Sequence, residues 1–154
     1  MRSGVLAIAV AAAGIAAGSV VLAQDQPKAT GIVAVRQATM KANGANMAAI
    51  KAILTEQPEL IDQVKFHAVA IEEAAEHTVA LFPPNSSQPA SWALPTVDSD
   101  QAGFKAADEK TSELAEKLVQ AAGGNDPKAM LAAFAALGKD GCGGCHQTFR
   151  KKDS

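Results

Sequence analysis

Apolar positions recur along most of this chain at helical spacing. Val33, Met40, Met47 and Leu54 stand seven residues apart with Ile50 between them, and predict a first helix from about Thr30 to Leu54. Gly44 interrupts it at a cost of ~1 kcal/mol relative to alanine, which a bulky flat neighbour would explain. A second helix follows Thr55-Glu56-Gln57-Pro58, where proline fits only in a first turn. Its seam is Leu60, Ile61, Val64, Ala68, Ile71, Ala75 and Thr78, and Leu81-Phe82-Pro83-Pro84 ends it. From Pro83 to Val97 Pro, Ser and Asn dominate, which predicts an ordered crossover carrying the only tryptophan, Trp92. A third helix opens at Asp98 or Ser99, with Gln101 spaced for a capping box from Asp98. Phe104, Ala107, Thr111, Leu114 and Leu118 form its seam, and Gly123-Gly124 closes it. The fourth helix starts with Asp126 as cap and Pro127 at the first position, then runs through Met130, Leu131, Phe134 and Leu137. Gly138, Gly141, Gly143 and Gly144 follow in it, and together lose about 3–4 kcal/mol of helix propensity. Close approach of a flat group would offset that loss.

β-branched clusters are few, and no Asn-Gly or Asp-Gly turn joins alternating strands. The expected fold is therefore all-α: an antiparallel four-helix bundle with one long crossover loop between helices 2 and 3. Ahead of it, Met1-Arg2-Ser3-Gly4 and an alanine-rich apolar run to Ala23 read as a secretory signal peptide, cleaved near Ala23. That divides the chain into a leader, 1–23, and one domain, 24–154. No spanning segment is expected after Ala23. The formal charge is −2, and loss of Arg2 with the leader makes it one unit more negative. So mild a balance argues against nucleic acid or an anionic membrane as partner. The chain holds no phosphate-cradling glycine loop, serine elbow, H-E-x-x-H helix or calcium loop.

The chemistry is concentrated in Gly141-Cys142-Gly143-Gly144-Cys145-His146, which contains both cysteines. C-x-x-C-H is the attachment signature of a c-type haem. Each thiol can add across a haem vinyl group, and the adjacent imidazole is held beneath the iron as proximal ligand. On an α-helix Cys142, Cys145 and His146 share one face. A redox disulfide would want a βαβ context, and a zinc site would want a second ligand pair. In bacteria this haem is attached on the exported side of the membrane, so leader and pentad agree on the periplasm. His67 and His77 stand one step off the second seam, which gives them solvated positions rather than a place on iron.

Taken together, the leader, the four helices and the tail Cys142-Gly143-Gly144-Cys145-His146-Gln147-Thr148-Phe149-Arg150-Lys151-Lys152 resemble the cytochrome c′ family, the class II c-type cytochromes. The resemblance spans the whole mature chain in layout. It is specific in this tail and in the first helix, Arg36-Gln37-Ala38-Thr39-Met40-Lys41-Ala42-Asn43-Gly44-Ala45-Asn46-Met47. In five-coordinate members the position of Met40 carries an apolar group over an open haem face. In the low-spin branch a methionine there is the sixth iron ligand. The motif is similar to that branch and implies Met40 as distal ligand. Met47 lies two turns on, about 10 Å along the axis, and is left to the core. The resemblance also suggests haem contacts for Arg36, Gln37, Phe149 and Arg150, with Arg36 either on a propionate or solvated. Arg150, Lys151 and Lys152 also suit a helix C-terminus.

The expectation is one covalent haem c per chain, its iron held by His146 and Met40. The protein would be a periplasmic one-electron carrier serving periplasmic or membrane-bound redox proteins, and not an enzyme. The alternative is a five-coordinate haem binding nitric oxide or carbon monoxide at an open distal face. Both a monomer and a homodimer remain open.

Overall fold

The structure, a computed structural model, describes residues 27–86 and 89–152; the expected leader lies outside the described residues. The first pattern becomes helix α1, Gly31–Glu56, with Thr30 extended ahead of it. Pro58 opens a 3-10 turn, Pro58–Leu60, where its missing N–H is not needed. Helix α2 runs Gln63–Glu76, and a second 3-10 turn, Val79–Leu81, ends that arm. The crossover carries a short helix, α3, Thr96–Ser99. Helix α4 is Gln101–Gly123 and α5 is Pro127–Ala136. A π-helical segment, Leu137–Gly143, leads from α5 into α6, Gly144–Phe149. Helices α1, α2, α4 and the joined α5–π–α6 arm make the four-helix bundle. Among the described residues no helix is long and apolar enough to cross a membrane.

Two caps differ from expectation. Asp100, not Asp98, caps α4, its carboxylate accepting from the Gly103 N–H at 2.9 Å. Asp98 lies inside α3 and accepts from the Asn85 N–H instead. At the far end of α4 the left-handed residue is Asn125, at φ 52°, while Gly124 stays right-handed. Asp126 caps α5 as expected, accepting from Lys128 N–H at 2.9 Å.

The main core is sealed by Ile50, Val64, Ile71, Leu118, Met130 and Leu137. Leu60, expected in the seam of the second helix, is about half exposed (47%), and so is Leu131 of the fourth (49%). Leu60 falls in the 3-10 turn, whose three-residue period leaves the helical stripe. Leu131 follows buried Met130 directly, and adjacent helical residues face different directions. A second cluster, Ala93, Val97, Phe104 and Phe149, packs beneath the crossover with Phe82 and Cys145.

The π segment also departs from the unbroken α-helix expected, and it explains two of the four glycines. A Cβ on Gly143 would meet the Gly138 carbonyl oxygen, five residues back, at 3.1 Å. On Gly141 it would press Leu137 at 3.2 Å and stand 3.5 Å from the Thr111 Cα of α4. These glycines thus permit the wide turn and a close helix–helix approach. Gly44 and Gly144 face open space. Gly143→Ala is expected to destabilise the haem-loaded protein by about 1–2 kcal/mol, because the opposing atom is backbone and cannot swing aside. Thermal unfolding reads this, and an unchanged midpoint would count against the contact.

Candidate haem site

The elements α1, the crossover, α4 and α6 enclose a cavity of about 400 Å³. Its apolar walls are Val33, Phe82, Ala93, Phe104 and Phe149. Met40 reaches it from α1, while Cys145 and His146 reach it from α6. Met47 does not line it and packs against the main core, as do parts of Cys142. The π segment ends at Gly143, so Cys142 does not hold the α-helical phase expected relative to Cys145 and His146. No disulfide joins the two cysteines. His67 is held by Asn46 at 3.0 Å and His77 is exposed; neither lines the cavity.

The protonation states of the two thiols count against a redox disulfide. Burial raises the Cys142 thiol, and burial with the charges of Asp108 and Cys142 pushes Cys145 up to about 11. A redox or nucleophilic cysteine needs a lowered pKa. Among the described residues no three His, Cys, Asp or Glu side chains gather as a metal-holding set. His146 is exposed by area, yet desolvation and then the charge of Arg150 lower its pKa. Both favour its neutral imidazole, the form that can bind a metal.

Arg36 lines the cavity at 4% exposure, so it is not a solvated helix residue. Its Nε and Nη2 donate to the Leu81 carbonyl at 3.0 and 2.8 Å. Nη2 also donates to Ser86 Oγ at 2.7 Å and Nη1 to Ser91 Oγ at 3.0 Å. The guanidinium lies over the Phe82 ring, 3.9 Å from its centroid. Burial draws its pKa down against the pull of Asp98. Gln37, beside it, donates to the Ala90 carbonyl at 2.8 Å. Phe149 is buried against Phe104, with ring centroids 5.2 Å apart. Arg150 covers Trp92 at 4.8 Å, and both line the cavity mouth. Lys151 does not serve the helix end, since its Nζ donates to the Ser91 carbonyl at 2.8 Å. Sequence reasoning missed Ser86, Ser91 and this use of Lys151, because helical periodicity carries no sign of partners 50 to 60 residues away.

Asp108 of α4 was also missed. Burial pushes its carboxyl up to about 6; the Thr78 side chain pulls it down by hydrogen bonding, and Glu109 adds to the rise. Glu72, Glu76 and Lys105 line the same cleft, and Cys145 feels its charge. A carboxyl whose folded pKa exceeds its unfolded value destabilises the fold when ionised. That penalty is absent below about pH 4, grows as pH rises through 6, and is complete above it. Asp108→Asn is therefore expected to stabilise the protein by about 1 kcal/mol at pH 7.5, discounted for its partial exposure, and by nothing at pH 4. Urea unfolding of both proteins across that range tests this, and an equal difference at every pH would refute it.

The Cytochrome C' family model matches residues 31–150 of this chain. A cytochrome c' of Pararhodospirillum photometricum is 38% identical over 117 residues, covering 75% of this chain and 93% of the relative. A cytochrome c-556 of Agrobacterium tumefaciens is 34% identical over 123 residues, covering 79% and 98%. Among solved structures, a carbon monoxide-bound variant of cytochrome c prime from Alcaligenes xylosoxidans superposes with a TM-score of 0.72 at 26% identity, covering 79% of this chain and 94% of that one. A nitric oxide-bound variant of the same protein also reaches 0.72. With a helical bundle whose cavity Cys145 and His146 line, and relatives matched over nearly their whole length, this chain belongs to the cytochrome c′ family, whose cofactor is a covalently attached haem c.

Proposed function

We propose that the protein is an exported monohaem cytochrome that carries single electrons, its iron held by His146 on the proximal side and Met40 on the distal side. The observation that carries this reading is that Met40 and His146, from α1 and α6, line one apolar cavity. Cys142 and Cys145 hold the macrocycle through thioethers. Arg36, buried and lining the cavity, faces a propionate, with Gln37 and Arg150 beside it. When bound, the haem supplies a one-electron iron couple. Thioether ligation raises its potential, and the aromatic walls keep water from it. Residues 1–23 serve as the leader and 24–154 as the mature domain. Its partners are redox proteins of the periplasm or its membrane.

The second reading is a gas-binding protein with Met40 off the iron. It is favoured by the relatives, which include structures bearing carbon monoxide and nitric oxide. One of them is described as showing ligand-controlled dimer dissociation, which makes a homodimer of this chain part of the same proposal. Absorption and electron paramagnetic resonance spectra of the purified protein decide between the two. Low-spin ferric signals with a methionine charge-transfer band and a slow response to carbon monoxide support the carrier. A high-spin ferric spectrum with immediate gas binding supports the second reading, with Met40 as a pocket wall.

A further inference from the structure

The crossover is attached at both edges, each time beside a proposed iron ligand. On one side it is held by α1. Arg36 donates to Ser86 and Ser91 of the crossover and to Leu81 of the turn that leads into it, and Gln37 donates to Ala90, one turn before Met40. On the other side it is held by the chain just past His146. The Leu94 N–H donates to the Phe149 carbonyl at 2.9 Å, and the Lys151 N–H to the Trp92 carbonyl at 2.8 Å. Thr96 Oγ1 donates to the Thr148 carbonyl at 3.0 Å, and Lys151 Nζ to Ser91. Ser91 thus meets both sides: its hydroxyl accepts from Arg36 and its carbonyl from Lys151.

We propose that the crossover is a strap that sets the spacing between the distal and proximal walls of the haem cavity, with Arg36 as the positioning residue that ties the strap to the distal wall. This rests on the reading of His146 and Met40 as the residues on either side of the iron. The attachments are unequal. The proximal edge is held mostly by backbone groups, which side-chain substitution leaves in place. The distal edge depends on one planar guanidinium, whose fork reaches one carbonyl and two hydroxyls at once, a geometry that lysine cannot reproduce. Without it, Gln37 of α1 still donates to the strap at Ala90. The wall carrying Met40 can then open locally while the bundle core, built on Ile50, Ile71 and Leu118, stays closed.

The test uses the haem-loaded full chain in three forms: wild type, Arg36→Lys, and the double variant Ser86→Ala/Ser91→Ala, which keeps the arginine and guards against a folding failure. Carbon monoxide association with the ferrous protein is followed by stopped flow. Ile53→Val, a mild change in the main core, serves as control. The strap predicts association about tenfold faster in Arg36→Lys and several-fold faster in the serine double variant, with the control unchanged. Rates within twofold of wild type in both strap variants would overturn it, as would an equal acceleration in the control. The wild-type ferric spectrum, taken first, judges Met40 separately. If it is high-spin, the Met40 reading fails, and the strap is still judged by the same rates because α1 remains the distal wall.

Discussion

Met40→Ala should convert a low-spin ferric spectrum to a high-spin one, abolish the methionine charge-transfer band and lower the reduction potential by on the order of 100 mV. Met40 is the thioether of α1 that lines the cavity, whereas Met47 is packed against the core, with its Cε 3.5 Å from where a Cβ on Gly138 would lie. Met47 therefore cannot substitute for it. If Met40 occupies the iron in about 99 of 100 molecules, its removal raises the apparent carbon monoxide affinity about 100-fold, since only the open fraction binds. Met47→Ala, by contrast, should cost stability and leave the spectrum alone. Identical spectra for wild type and Met40→Ala would sink the carrier reading.

Phe104→Ala should destabilise the haem-loaded protein by about 3–5 kcal/mol. Phe104 is 5% exposed and sits between two rings, 4.9 Å from Phe82 and 5.2 Å from Phe149, edge to face with both. It joins the crossover (Ala93), α4 and α6 (Phe149) in one cluster, so its loss leaves a void that three elements must share. For a domain of this size the melting midpoint should fall by roughly 10–20 °C. Leu118→Ala, in the main core, should cost a similar amount. The two differ at the haem. Phe104 lines the cavity and Leu118 does not, so only Phe104→Ala should also shift the haem absorption bands. Equal spectral effects would mean that the two clusters do not act separately.

Much of this molecule was legible beforehand, and the reason differs from feature to feature. The four bundle arms follow from the spacing of residues such as Val64, Ala68, Ile71 and Ala75, which turns three to four residues apart into one buried stripe. The Asp126–Pro127 start was legible because a cap acts within its own turn. The Asp98 cap failed because Asp100 offers the same chemistry two residues later, and local preference alone cannot rank two adjacent carboxylates. Leu60 failed as a seam residue because composition announces an apolar residue but not the phase in which a short turn leaves it.

By itself, then, the sequence determined what depends on neighbours along the chain: helices, most caps, the haem-attachment pentad and the family resemblance. Only the tertiary structure decided what depends on partners far along the chain. It placed Cys142 in a π segment pressed on α4 and Cys145 and His146 in α6, brought Met40 to the cavity and Met47 to the core, and gave Asp108 its raised pKa. It also joined Arg36 to Ser91, 55 residues away. Periodicity reports which face of a helix is buried. What that face meets is set by how separate elements pack, and only the folded chain holds that information.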